Sequence, residues 1–168
     1  MSTVTENLIN WLKDAHAMEQ SAISILEMQS KRLENYPRMK AKVDEHLEVT
    51  RRQADSVTSC LERYNAGTST TKDVMGRFTG VMNTLGSSVA GDEVMKAHIA
   101  DYAFEHMEIA SYRILIAAAK QIGDSETQRI CEEILSQEEE MANWLGQELE
   151  EMTHTYLTKS EAGEPAKR

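Results

Sequence analysis

The clearest indication of the fold comes from residues 101–122, DYAFEHMEIASYRILIAAAKQI. Drawn as a helix, it shows apolar residues on almost every side, which is typical of a helix buried on most sides. Its one outward side is marked by three polar residues, His106, Arg113 and Lys120. The opposite side carries a polar stripe made of Asp101, Glu105, Glu108 and Tyr112. The sequence therefore predicts a buried helix that brings carboxylates into a protein core.

Helical periodicity continues in both directions from this stretch. It predicts long helices over about residues 3–35, 37–65, 92–122 and 125–158. A shorter helix is predicted in the link between the second and third, on Val74, Phe78, Val81 and Leu85. The other two links are short, so each should join an antiparallel hairpin, whereas this link of about 25 residues can cross the whole bundle. The prediction is an all-α, ferritin-like four-helix bundle with an extra short helix in its crossover.

Size and charge narrow the class of protein. Residues 1–158 have the length of one bundle domain, and the polar residues 159–168 are predicted to be a disordered tail. A formal net charge of −10 argues against nucleic acid or an anionic membrane as the main partner. No segment approaches the roughly 20 apolar residues that span a membrane. Cys60 and Cys131 lack metal or redox spacing, so a reduced cytoplasmic location and unreactive thiols are expected.

Helical wheels separate the inward polar residues from the surface ones. On the first helix, Glu19 lies about 50° from the centre of an apolar face predicted around Trp11, Ala15 and Ala22, while His16 falls outside that face. On the second, Glu45 and Glu48 point outward and the inner stripe holds His46, Thr50 and Gln53. On the fourth, Glu138 lies within the apolar face, and Glu139 and Glu140 turn away. The remaining histidines are predicted on the surface, at His98, His106 and His154.

The inward set has at least one member on each long helix: Glu19, His46, Glu105, Glu108 and Glu138. Several carboxylates and an imidazole in one core cannot all stay ionised unaided, so they either keep and share protons or are neutralised by cations. Two metal ions bridged by glutamates would neutralise them, and iron and manganese suit mixed carboxylate and imidazole ligands. A structural polar network is the alternative for each residue, with Tyr112 hydrogen-bonded to a carboxylate. A haem site has only the axial candidates Met18 and His46.

Four segments carry a resemblance to a known family: WLKDAHAMEQ (11–20), HLEVTRRQ (46–53), FEHMEIASY (104–112) and ILSQEE (134–139). Together they resemble the YciE/YciF family of bacterial ferritin-like stress proteins, most closely its YciE branch, over about residues 4–160. The resemblance implies a ferritin-like bundle, a homodimer and a dinuclear metal centre on the five inward residues. It implies no particular reaction.

Two departures bear on that metal centre. Where the family usually has an acidic residue before the threonine of the second helix, this chain has Val49. The chain also lacks the Glu-x-x-His motif by which ferritin-type di-iron bundles add imidazole ligands. Two functions therefore stay open: a metal-handling or redox protein with a dinuclear iron or manganese site, and a non-catalytic stress protein with an incomplete site that acts by dimerisation or partner binding.

Overall fold

The computed structural model describes residues 2–68 and 92–166, and every regular element in those ranges is an α-helix. The helices are α1 (Thr3–Ser30), α2 (Pro37–Arg63), α3 (Glu93–Ile122) and α4 (Ser125–Glu161). The predicted all-α, four-helix architecture is confirmed. The short helix expected at residues 74–85 lies outside the described residues. No helix within the described ranges is long and apolar enough to cross a membrane.

Contacts between the helices give their directions. Arg38, at the start of α2, pairs with Glu148 near the end of α4 at 2.6 Å. Arg63, at the other end of α2, pairs with Asp124 just before α4 at 2.7 Å. These two helices are therefore antiparallel. Contacts between residues 29 and 101 and between residues 19 and 112 make α1 antiparallel to α3 as well. It follows that α2 and α3 run parallel, as the long crossover requires.

Each helix packs against two others. The adjacent pairs are α1–α2, α1–α3, α2–α4 and α3–α4, so α1 faces α4 and α2 faces α3 across the core. Two apolar clusters fill that core. One joins the first part of α1 to the later halves of α2 and α3, and includes Leu12, Leu61 and Leu115. The other joins the end of α1 to the start of α2 and the later part of α4, and includes Val43 and Leu145. Apolar residues of these clusters lie before and after every inward polar residue along its own helix.

Local chemistry sets the helix ends. The hydroxyl of Ser2 accepts a hydrogen bond from the Thr5 amide at the start of α1. Pro37 is the first residue of α2, where its missing N–H costs no hydrogen bond. Gly123 ends α3 with φ of 75°, a left-handed conformation that suits glycine. Asp124 then caps α4 by accepting from the Thr127 amide. The hairpin between α3 and α4 therefore needs only two linking residues, as predicted.

Two helix boundaries differ from the prediction. Helix α1 ends at Ser30 rather than near residue 35, because the chain turns there to bury Leu33 and Tyr36 against the end of the core. Helix α4 runs to Glu161, so the expected boundary at residue 158 falls within it. Beyond that helix, the carbonyl of Ala166 accepts a hydrogen bond from the Tyr36 hydroxyl at 2.7 Å. The described part of the tail is thus fixed to the α1–α2 turn.

Three side chains lie elsewhere than predicted. Trp11, placed at the centre of the apolar face of α1, is 42% exposed. His16 and His98, both expected towards solvent, are buried. They are buried because α1 and α3 each pack against two neighbouring helices and so bury a wider arc than one apolar face. The Nε2 atom of His98 lies 2.8 Å from the carbonyl oxygen of Leu145. The surface positions predicted for His106 and His154 are confirmed.

Candidate metal centre

All five inward residues predicted from the sequence are buried in the middle of the bundle. Their exposed fractions run from 0 to 5%, and all four helices contribute: Glu19 on α1, His46 on α2, Glu105 and Glu108 on α3, Glu138 on α4. Carboxylates are almost never this deeply buried unless they are paired or neutralised. These five side chains form the polar layer of the bundle.

The closest group in the polar layer is formed by His46, Glu105 and Glu138. One ligand atom from each lies within 4.8 Å of the others. The Nε2 atom of His46 is 3.3 Å from Oε1 of Glu105 and 3.6 Å from Oε2 of Glu138. The group draws on three helices, so it exists only when α2, α3 and α4 are packed together. A nitrogen and two carboxylate oxygens in this arrangement could hold a metal ion.

Hydrogen bonds from neighbouring side chains fix the orientation of two of the carboxylates. The hydroxyl of Tyr112 donates a hydrogen bond to Oε1 of Glu19. The amide nitrogen of Gln53 donates to Oε1 of Glu138, and also to the Gln137 carbonyl oxygen at 3.0 Å. Each bond occupies one oxygen of its carboxylate and sets the direction of the other. This is how residues around a metal site orient its ligands.

Each glutamate of the polar layer keeps one buried carboxylate oxygen without a hydrogen-bond partner. The four atoms are Oε2 of Glu19, Oε2 of Glu105, Oε1 of Glu108 and Oε2 of Glu138. Within residues 2–68 and 92–166, no lysine or arginine is buried to compensate them. Unpaired buried acceptors are costly. Cations bound among these oxygens would remove that cost, so the donor set fits metal ions.

Burial and mutual repulsion dominate the electrostatics of the layer. Burial raises the pKa of Glu19 and Glu108 well above the usual value for glutamate, and the nearby negative charge of Glu138 raises both further. Burial raises the pKa of Glu105 to about 8 and that of Glu138 well above normal. Burial lowers the pKa of His46, so its imidazole is neutral at pH 7. Neutral imidazole is the form that binds metals, whereas the carboxyl groups must give up protons to do so.

Asp101 is a further member of this environment that the sequence placed in the polar stripe but not among the site residues. It lies one turn before Glu105 on α3, is buried, and accepts a hydrogen bond from the amide nitrogen of Gln29 at 2.5 Å. Burial raises its pKa to about 7. The sequence signal was its spacing of four residues from Glu105, which places both side chains on the same face of α3. Asp101 extends the acidic stripe beyond the closest ligand group.

The two departures noted in the sequence have defined positions. Val49 is half-buried one turn after His46 and lines a small cavity beside it, so no carboxylate reaches the site from that position. Met141, also on that cavity, occupies the position three residues after Glu138 where a Glu-x-x-His motif has its imidazole. The polar layer therefore offers a single histidine, with α2 contributing no carboxylate to it.

Residues 3–158 match the family described as Domain of unknown function (DUF892). The chain belongs to this family. A solved protein of Xanthomonas campestris pv. campestris is 38% identical, with 95% of this chain and 99% of that chain covered and a TM-score of 0.83. The relationship to the YciE/YciF family expected from the sequence is confirmed, while its placement in the YciE branch stays a prediction.

More distant structures share the fold. The Escherichia coli stress protein YciF is 22% identical over 88% of this chain and 94% of its own, with a TM-score of 0.75. The bacterioferritin of Desulfovibrio desulfuricans, a protein with a diiron site, is 22% identical over 93% of this chain and 87% of its own, with a TM-score of 0.74. These similarities confirm the ferritin-like fold.

The raised pKa of Asp101 predicts how stability depends on pH. Between the ordinary aspartate pKa of 3.8 and about 7, the folded protein keeps a proton that the unfolded chain has released, so rising pH lowers the free energy of unfolding. With a chelator present, the free energy of unfolding of Asp101→Asn should therefore fall by about 2 kcal/mol less between pH 5 and pH 7 than that of wild type. Urea unfolding at the two pH values measures this. The exposed Asp14→Asn should keep the wild-type slope, and an equally steep slope in Asp101→Asn would contradict the assignment.

Proposed function

We propose that this protein binds two iron or manganese ions in the bundle core, held by Glu19, His46, Glu105, Glu108 and Glu138. The observation that carries the proposal is the set of four buried carboxylate oxygens without a hydrogen-bond partner, one on each glutamate of the layer. Four glutamates and one histidine form an oxygen-rich donor set with one nitrogen, which suits iron and manganese better than zinc or copper. Carboxylates with two free lone-pair directions can also bridge two ions.

The protein's own residues position the ligands and handle protons. Tyr112 and Gln53 hold Glu19 and Glu138 in fixed orientations, which reduces the cost of ordering them when ions arrive. Protons held by the glutamates leave as metal binds, so affinity rises with pH. The apolar clusters on both sides exclude water from the layer. Iron or manganese bound here would supply redox chemistry with dioxygen or peroxide.

The relatives support a place for this protein in stress physiology. The Escherichia coli relative is a stress protein, and the Desulfovibrio desulfuricans bacterioferritin of the same fold has a diiron site. We therefore propose a cytoplasmic, stress-associated metal-binding protein. The acidic charge of the chain, −10 at pH 7, argues against nucleic acid or an anionic membrane as its main partner.

The second candidate function is a non-catalytic stress protein whose polar layer is a proton-sharing network. Two observations favour it: Val49 leaves α2 without a carboxylate ligand, and Met141 stands where a second imidazole would be. In that case the raised pKa values of the glutamates describe the working state, in which protons rather than metal ions neutralise the layer. The protein would then act through its surface.

Metal content separates the two functions. Wild-type protein incubated anaerobically with excess Fe(II) or Mn(II) and then desalted should retain two ions per chain, measured by elemental analysis. Glu138→Ala should lose most of this metal, because Glu138 belongs to the closest ligand group. The matched control is Glu139→Ala, whose side chain pairs with Arg113 on the surface at 2.8 Å and which should bind normally. Metal-free wild type would refute the proposed function.

Stability with and without metal gives an independent test through Glu138→Leu. At a Mn(II) concentration of 100 times the Kd, wild type should gain about 2.7 kcal/mol of unfolding free energy, and the variant, having lost a ligand, should gain far less. The second function predicts that Mn(II) stabilises neither protein. It also predicts that the variant is at least as stable as wild type, since leucine removes a buried carboxylate that costs stability.

The homodimer implied by the family resemblance belongs to the same proposal. The outward side of α3 carries His106, Arg113 and Lys120, and between them it exposes apolar residues at helical spacing: Ile99, Ala103, Ala110, Ile114 and Ala117. Exposed apolar residues at this spacing suit the apolar centre of an interface. Light scattering should give twice the chain mass for wild type and the chain mass for Ile114→Lys. Leu157→Lys, an equally exposed site near the end of α4, should stay dimeric. A monomeric wild type would contradict the dimer.

A further inference from the structure

A small cavity between α2 and α4 reaches the polar layer from outside. Its volume is about 60 Å³, enough for a water molecule or a small ion. Its lining comes from both helices and includes Lys42, Glu45, His46, Val49, Gln137 and Glu140. His46 belongs both to this lining and to the closest ligand group. The cavity therefore lies directly beside a residue of the closest ligand group.

His46 is the proposed ligand that lines the cavity, and its exposed fraction of 5% is the largest of the five. Helices α2 and α4 also approach each other less closely along their length than the other adjacent helix pairs do. The seam between α2 and α4 is thus the thinnest wall around the ligands.

Three charged side chains stand at the outer end of the cavity. The ammonium group of Lys42 lies 3.4 Å from Oε2 of Glu45 and 3.9 Å from Oε1 of Glu140. The two carboxylates are well exposed, whereas the Lys42 side chain is only 17% exposed. Lys42 is one helical turn before His46, and both residues line the cavity. A positive charge therefore lies on the same cavity as a residue of the closest ligand group.

We propose that this seam is the entry port for divalent cations and that Lys42 is its gating charge. The inference rests on the proposed metal-binding function and adds to it a route and a control point. Glu45 and Glu140 attract a cation to the opening, but both already pair with the ammonium group of Lys42. An incoming cation must displace that group and pass Val49 to reach His46. Lys42 therefore slows entry without holding the bound ion.

Stopped-flow uptake of Co(II) tests the port, since the visible absorption of protein-bound Co(II) reports arrival at the ligands. Lys42→Met keeps the stem and removes the charge, and should raise the uptake rate about fivefold while leaving the final absorbance unchanged. Added salt should shrink the difference. The matched control is Lys40→Met on the same helix, where Lys40 pairs with Asp44 at 2.6 Å away from the cavity. This control should keep the wild-type rate.

Two further variants change the port without touching the charge of Lys42. Glu140→Gln removes an attracting carboxylate and should slow uptake severalfold, whereas Glu139→Gln, which makes the same change one residue earlier, should not. Val49→Trp places a bulky ring in the cavity wall and should slow uptake about tenfold or more. In all of these variants the final absorbance should match that of wild type, because no ligand is altered.

The outcomes separate the port from the site. Wild-type rates in Lys42→Met, Glu140→Gln and Val49→Trp, with normal final absorbance, would overturn the port and leave the proposed function standing. Equal acceleration by Lys40→Met and Lys42→Met would show a general charge effect and overturn the gating role of Lys42. Wild type that never develops the Co(II) absorption would overturn the proposed function, and the port with it.

Discussion

Four glutamates are buried in the middle of the bundle, and the packing around them must allow their charge to be balanced. Nothing in the described part of the chain supplies a buried cationic side chain to balance them. Their negative charge must be balanced by protons or by bound cations, and both depend on the packing around them, because two apolar clusters close the layer from either side. The same clusters provide the burial that raises the glutamate pKa values, so fold stability and site chemistry are coupled.

Much of this was predictable because helical geometry converts spacing into direction. The i, i+3 pair Glu105 and Glu108, and the position of Glu138 inside an apolar stripe, are enough to direct those side chains towards the core. The length of the link between α2 and α3 likewise indicated that it can cross the whole bundle, which is what their parallel direction requires. These inferences depend on one helix at a time, or on link length alone, and for that reason they held.

What could not be predicted depends on how helices pack against each other. His16 and His98 are buried because their helices have two neighbours each, which a single wheel does not show. Asp101 was placed in the inward stripe of α3, but its hydrogen bond with Gln29, a residue of another helix, could not be predicted. Lys42 looks like an ordinary surface lysine in the sequence, and only the meeting of α2 with α4 places it on the same cavity as His46. Pairings between helices carried no readable signal in a single sequence.

The proposed ligands are divided between the two helical hairpins of the chain. Glu19 and His46 belong to the hairpin of α1 and α2, and the other three glutamates belong to the hairpin of α3 and α4. Each hairpin can form from local contacts, but neither contains a complete site. Ions held between them, as proposed, would act as a reversible cross-link between the two halves of the chain and raise the barrier to their separation. Metal availability would then set how long the folded protein survives, as well as what it binds.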